Sequence, residues 1–254
     1  VEIDLKNKIA LVTGSSRGIG KSIAEYLAGL GATVIVHYHN NIDATEALLK
    51  VLPKNNNLDH GMVQADLGKP KDIHAMFDFI GQAYGKLDIL VNNAGYRIPK
   101  PFDDINDYEL ERTMQVNFMG GFRCTREAIR LMSENARVIF IASVDANRPG
   151  AKRTDYGSSK AAEIMLMKNL ALELSNRKIL VNAVSPGAID TDMTSQMKAD
   201  NGSYERTLKG IPLGRFGKVN EIAAMVAFLA SDNALYITGS NIVIDGGLSL
   251  MRGY

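Results

Sequence analysis

Two hydrophobic periods alternate along the chain. Short apolar runs at 8–13, 31–37, 62–65, 87–91, 138–142, 179–184 and 241–244 read as strands. Between them, apolar residues recur at helical spacing: Ile23, Leu27 and Leu30 in 19–30, Ile73, Phe77 and Ile80 in 70–84, and Ala162, Leu166, Leu170 and Leu174 in 155–175. The same reading predicts helices over 42–52, stopped by Pro53, over one long segment at 107–132, and over 220–230. Strands buried on both faces and separated by helices predict an α/β fold, a parallel sheet covered on both sides.

In such a sheet the ligand crevice lies beyond the carboxyl ends of the strands. Gly14, Asp66, Asn93, Ser143 and Pro186 all fall at predicted strand ends. From 189 to 215 the pattern weakens, and Gly202, Gly210, Pro212 and Gly214 interrupt any long element. A stretch that long between regular elements reads as a lid over a functional site or as a mobile segment. No repeat or linker divides the 254 residues, so one domain over 1–254 is expected.

Composition narrows the classes of function. A net charge of +1 offers no basic field for nucleic acid and no acidic field for a cationic partner. The lone cysteine, Cys124, cannot form a disulfide within the chain and fits a reducing compartment. It lies in a helical pattern with no histidine near it, which favours a core residue over a nucleophile. His37, His39, His60 and His74 make no metal-ligand pattern, so no metal is expected. No apolar run is long enough to span a bilayer, and the first residues lack the pattern of a secretory signal. A soluble, cytoplasmic protein with no nucleic-acid or membrane partner is the expectation.

Two stretches carry chemistry. The first strand runs into Gly14-Ser-Ser-Arg-Gly18-Ile-Gly20, where Gly14 permits a tight exit and Gly18 lets the backbone approach a pyrophosphate. Gly20 lets helix and strand pack closely, and free N–H groups at the helix start face the anion. A plain glycine-rich turn is the alternative. The second stretch is Tyr156-Gly-Ser-Ser-Lys160, with Ser143 thirteen residues upstream. Phenol and ammonium at i and i+4 share a helix face. A phenol ordinarily titrates near pH 10, and a cation beside it favours the phenolate, giving a general acid/base pair. The same spacing also occurs on ordinary helices.

Thr13-Gly-Ser-Ser-Arg-Gly-Ile-Gly20, Asn92-Asn-Ala-Gly95, Asn117, Ser143, Tyr156-x-x-x-Lys160 and Pro186-Gly187 occur in that order. On them the chain resembles the short-chain dehydrogenase/reductases over essentially its whole length. Ile211-Pro-Leu-Gly-Arg215, Phe228-Leu-Ala-Ser231, Ile237-Thr-Gly-Ser240 and Asp245-Gly-Gly247 bring it closest to bacterial 3-oxoacyl-acyl-carrier-protein reductases and related sugar and polyol dehydrogenases. The resemblance implies a single-domain Rossmann fold with a doubly wound, mostly parallel seven-stranded sheet. It implies interconversion of a ketone and a secondary alcohol on a small molecule or acyl thioester. A sugar or polyol dehydrogenase, or a dinucleotide-binding protein without turnover, are the alternatives. It also implies a homotetramer, or a homodimer, built through helices 107–132 and 155–175 and the last strand.

By the same resemblance Tyr156 is the proton donor, Lys160 serves both phenol and ribose, Ser143 orients the substrate oxygen, and Asn117 holds a water of the proton relay. A buried amide satisfying nearby backbone is the other reading of Asn117. The implied cofactor residues are Gly14, Ser16, Arg17, Gly18, Ile19, Gly20, His39, Asp66, Leu67, Asn93, Ala94, Gly95, Pro186, Gly187, Ile189 and Thr191, with Tyr156 and Lys160. Asp66 would meet the adenine, although an aspartate at a strand end is also a helix N-cap candidate. NADP(H) is favoured, with NAD(H) possible: Tyr38, His39 and Asn40 supply no carboxylate after the second strand, and Arg17 could pair with a 2′-phosphate. Docking of an acidic carrier would use cations before the Ser143 strand. Here Ser133-Glu-Asn-Ala-Arg137 offers a carboxylate, with Arg177 further on. Arg148, Lys152 and Arg153 either favour an anionic substrate or form a solvated loop.

Overall fold

The computed structural model describes residues 2–54, 58–191, 194 and 201–251. Seven strands form one sheet: β1 (Ile9–Val12), β2 (Thr33–Tyr38), β3 (Gly61–Gln64), β4 (Ile89–Asn92), β5 (Arg137–Ile141), β6 (Leu180–Pro186) and β7 (Asn241–Ile244). Their order is β3-β2-β1-β4-β5-β6-β7, and every neighbouring pair is parallel. Winding therefore reverses between β1 and β4, the point of an open α/β sheet at which a ligand site is expected beyond the strand ends.

Successive residues of the inner strands feed opposite cores. Ile9 and Leu11 of β1 pack with Leu90 and Phe140 beneath Ile73, Phe77 and Ile80 of α3 (Pro70–Tyr84) and Ile164 and Met167 of α6 (Thr154–Glu173). Ala10 and Val12 point the other way, toward Ile23 and Leu27 of α1 (Gly18–Gly29), Leu48 of α2 (Ile42–Val51) and Ile222 and Val226 of α8 (Val219–Ala230). Alternation of that kind, with apolar residues on both faces, is why the strands read as continuous apolar runs.

Two sequence expectations change. The helix expected over 107–132 is α4 (Asp107–Met114), a π-helical turn (Gln115–Met119) and α5 (Gly120–Ala128). Asn117 lies in the wide turn, a feature common where a helix must present a side chain inward. Beyond Ala128 the chain leaves the helix, and Arg177 donates to the Ile129 and Met132 carbonyls at 2.8 and 3.0 Å. Within 189–215, read as irregular, lies α7 (Asn201–Lys209). Its inward anchors are only Tyr204 and Leu208, which pack on a small cluster of Val144, Ile211, Phe216 and Leu248, so the apolar period is too sparse to read. Tyr204 stacks on Phe216 at 5.0 Å. The remainder of the expected lid, 192–193 and 195–200, lies outside the described residues.

Candidate active site

The glycine loop is pinned from three sides. Gly14 has φ +63, and a Cβ there would stand 2.9 Å from Ala94 Cα, against backbone that cannot yield. A Cβ on Gly20 would run into the Gly14 carbonyl and the Asn93 amide. Asn93 Nδ2 donates to the Thr13 and Gly14 carbonyls at 2.8 and 3.1 Å, and the Asn93 and Ala94 N–H groups both reach Thr13 Oγ1. The loops after β1 and β4 are thus one hydrogen-bonded unit across the crevice. His37, which the sequence reading left unassigned, is the third support. Buried in β2, it accepts from the Gly14 N–H at 2.8 Å and contacts the Ala65 carbonyl at 3.1 Å. Burial lowers its pKa to about 4, so the ring is neutral, with Nε2–H given to Ala65 and the Nδ1 lone pair to Gly14.

Around that unit stand the other expected cofactor residues. Arg17 is exposed at the start of α1 and has no side-chain partner among the described residues, with half-buried Ser16 and Ile19 beside it. A Cβ on Gly18 would lie 3.9 Å from Thr191 Cγ2, so the glycine loop faces the chain leaving β6. There, Gly187 donates to the Ile244 carbonyl at 2.9 Å, next to buried Pro186, and Ile189 bridges to Gly217. Thr191 donates its N–H to Thr194 Oγ1. At the end of β2, buried Tyr38 supplies no carboxylate, and His39 Nε2 lies 3.8 Å from Asp66 Oδ2. Asp66 accepts from the Gly68 N–H at 2.9 Å and from Arg112 at 2.9 and 3.2 Å. Burial raises its pKa, but Gly68 and Arg112 outweigh that and hold the carboxyl below its usual range. Asp66 is not the N-cap of α3, a position taken by Lys69. Leu67 is buried and fits beside Gly120.

Tyr156 and Lys160 occupy the first turns of α6. Lys160 is buried, its Nζ 5.8 Å from the Tyr156 ring centroid. A Cβ on Gly95 would stand 3.8 Å from Asn117 Oδ1 and 3.9 Å from Lys160 Nζ, so these groups converge on the end of β4. Asn117 accepts from the Tyr96 N–H at 2.7 Å and donates to the Tyr96 carbonyl and to Ser159 Oγ at 3.0 and 2.9 Å. Its amide therefore does satisfy neighbouring backbone, and in doing so fixes the loop after Gly95. Ser143 lies two residues beyond β5, its Oγ accepting from the Asp145 N–H at 3.1 Å, which leaves the hydroxyl proton free to donate. Gly157 lets that turn press on α6: a Cβ there would lie 3.0 Å from the Asp145 carbonyl oxygen.

Two charged residues that the sequence reading did not single out border these groups. Glu163, one turn beyond Lys160 and almost fully buried, puts Oε2 2.7 Å from Nζ, while Nζ donates to the Ile141 carbonyl at 2.9 Å. The ion pair is close but poorly directed, since Oε2 has no well-formed hydrogen bond. Burial would lower the Lys160 pKa; Glu163 outweighs it and holds the ammonium charged. Burial pushes Glu163 itself up to about 7, against the pull of Lys160. Arg97 is the second, its Cζ 5.6 Å from the Tyr156 ring centroid. The only signal for either was position: an acid at i+3 from Lys160, and a cation two residues past Gly95.

Of the cations weighed for substrate, one is bound within the chain, and Lys152 is exposed to solvent. Arg153 pairs with Asp145 at 2.7 Å, and Arg148 lies where its charge lowers the Asp245 pKa. Arg137 is buried and donates to the Asn135 and Ser231 carbonyls and to Asp232, while Arg177 caps the end of α5. Cys124 is a buried core residue whose thiol burial pushes up to about 12. Among the described residues, no cluster of three His, Cys, Asp or Glu could hold a metal, and no helix is long and apolar enough to cross a membrane.

Comparison with known proteins agrees with this fold. Residues 14–249 match the family model described as Enoyl-(Acyl carrier protein) reductase. The chain is 35% identical to 3beta-hydroxysteroid dehydrogenase 1 of Eggerthella lenta, over 99% of this chain and 97% of that protein. It is 38% identical to the 3-oxoacyl-[acyl-carrier-protein] reductase FabG of Aquifex aeolicus, over 98% and 100%. A short chain dehydrogenase from Burkholderia cenocepacia, solved in complex with NADP, superposes with a TM-score of 0.90 at 35% identity, covering 96% of this chain and 98% of that one.

Proposed function

Because the chain belongs to the short-chain dehydrogenase/reductase family, we propose that it is an NADP(H)-dependent oxidoreductase interconverting a ketone and a secondary alcohol. The observation that carries the reading is the convergence of Asn117 and Lys160 on Gly95, with Tyr156 one turn before Lys160, beside a glycine loop braced for a phosphate. The glycine cradle and the uncommitted Arg17 fit such a dinucleotide. Gly14, Ser16, Gly18, Ile19 and Gly20 would hold the pyrophosphate side, Arg17 and His39 the 2′-phosphate, Asp66, Leu67, Asn93, Ala94 and Gly95 the adenosine side, and Pro186, Gly187, Ile189 and Thr191 the nicotinamide. When bound, the reduced nicotinamide supplies a hydride to the carbonyl carbon.

The remaining work falls to side chains of this chain. The free Ser143 proton holds the substrate oxygen in place. Tyr156 donates a proton to that oxygen as the alcohol forms, and takes it back in the reverse direction. Lys160, kept charged by Glu163, supports the phenolate and the ribose. The segment 189–215 would close over the bound substrate as a lid. Likeness to carrier-protein reductases favours a 3-oxoacyl substrate. Arg137 and Arg177, however, are spent on internal carbonyls, which favours a free small molecule, as in the sugar and polyol branch, over one borne on an acidic carrier. We place the protein in the cytoplasm, where a buried free thiol persists.

Apolar residues exposed on the long helices and at the sheet edge support a homotetramer: Tyr108, Phe122, Met165, Leu172, Val243 and Leu250. Light scattering should give four times the chain mass; a monomer at micromolar concentration contradicts it. The function is tested by following NADPH and NADH consumption with a panel of ketones. NADPH-preferring turnover of at least one is expected, and binding of NADPH without turnover of any would instead indicate a non-catalytic dinucleotide-binding protein.

A further inference from the structure

Arg97 follows Gly95 by two residues and lies at 5.6 Å over the Tyr156 ring, beside the proposed proton donor. Its Nε is shut away from solvent and has no hydrogen-bond partner. No described carboxylate forms an ion pair with it. The acids whose charge reaches it are taken: Asp145 by Arg153 at 2.7 Å, and Asp155 by the Thr113 hydroxyl at 2.7 Å. Burial works against its charge and lowers its pKa, yet a guanidinium stays protonated throughout the working range of an enzyme. Arg112 and Arg137, also withdrawn from water, are both met by carboxylates and carbonyls. Arg137 Nε is buried without a partner too, but its other nitrogens are bonded; Arg97 alone of these three makes no hydrogen bond or ion pair to any described residue, which points to a group brought by a ligand.

Resting on the ketone–alcohol reading above, we propose that Arg97 anchors an acidic group of the substrate, which is therefore an oxo acid or the matching hydroxy acid. One guanidinium suits one carboxylate, bound through two parallel N–H bonds. A phosphate would call for more charge, and the neighbouring Arg153 is already neutralised by Asp145. With Arg97 Cζ 5.6 Å from the phenol ring centroid, the carboxylate and the reacting carbonyl belong to one short molecule. Of the cations first considered, Arg153 is neutralised and Lys152 is exposed, whereas Arg97 lies on the Tyr156 ring. A fatty 3-oxoacyl thioester, neutral near its ketone, would leave Arg97 unmatched.

Matched pairs test this: acetoacetate and 4-oxopentanoate against their methyl esters, with NADPH, for the parent, Arg97→Gln and Arg97→Lys, each first shown to be folded by its melting curve. The parent should prefer each acid to its ester. Arg97→Gln should lower kcat/KM for the acids about 10- to 100-fold, chiefly through KM, and collapse the acid-over-ester preference, with Arg97→Lys recovering part. Equal losses for acid and ester, together with a displaced pH profile, would make Arg97 a partner of Tyr156 alone and overturn the proposal. So would a parent that prefers the esters. Should the parent consume NADPH with no ketone, the hydride-transfer reading fails instead, and calorimetry of 4-oxopentanoate with the NADPH-loaded proteins decides. Binding weakened tenfold or more in Arg97→Gln upholds the anchor; equal binding, or none to the parent, overturns it.

Discussion

Glu163 gives Lys160 its protonation state, and that assignment can be tested directly. Removing the carboxylate leaves the buried ammonium exposed to the cost of desolvation, which draws its pKa down. Glu163→Gln should therefore lose activity at lower pH than the parent, moving the alkaline limb of the kcat/KM profile downward; superimposable profiles would remove Glu163 from the site. His37 makes a second case, in stability. Its folded pKa of about 4 lies below the ordinary 6.5, so the unfolded chain takes up the proton first. Stability from this group is full above about pH 6.5 and falls as pH drops toward 4, by on the order of 3 kcal/mol. His37→Gln should flatten the decline in melting temperature between pH 7 and 5, and parallel declines would contradict it. Tyr156, Lys160 and Ser143 could be singled out by type and spacing, and Asn117 by the family resemblance. Glu163, His37 and Arg97 were not, because their roles depend on what burial withholds from them, and one chain read in order does not reveal burial.

At the level of elements, the glycine loop and the turn after β4 behave as one part. Gly20→Ala sets a methyl against the Gly14 carbonyl and the Asn93 amide. Overpacking of backbone of that kind costs about 1–3 kcal/mol. It should also weaken NADPH binding, read by fluorescence titration beside a melting curve; unchanged affinity would detach the loop from the cofactor. All seven strands could be read from the sequence: the five inner ones are buried on both faces and leave near-continuous apolar runs, and the edge strands β3 and β7 keep short apolar stretches although they are only partly buried. The π-helical turn at Gln115–Met119 could not, since a change of backbone pitch leaves the apolar pattern of a helix nearly intact. Helix α7 failed for the opposite reason: two anchors, Tyr204 and Leu208, are too few to make a period.

For the whole molecule, the parallel sheet and its reversal between β1 and β4 explain why residues from 14 to 191 meet on one edge. Every expected site residue lies at or just beyond a strand end, or on a helix packed over one. Their joint action is the central claim, and Tyr156→Phe tests it most directly, because it removes one oxygen and leaves ring, helix and glycine loop in place. The account predicts that this variant binds NADPH as the parent does and loses ketone turnover by at least about 100-fold, the usual scale of a lost general acid. Turnover within a few-fold of the parent, with NADPH binding intact, would contradict it.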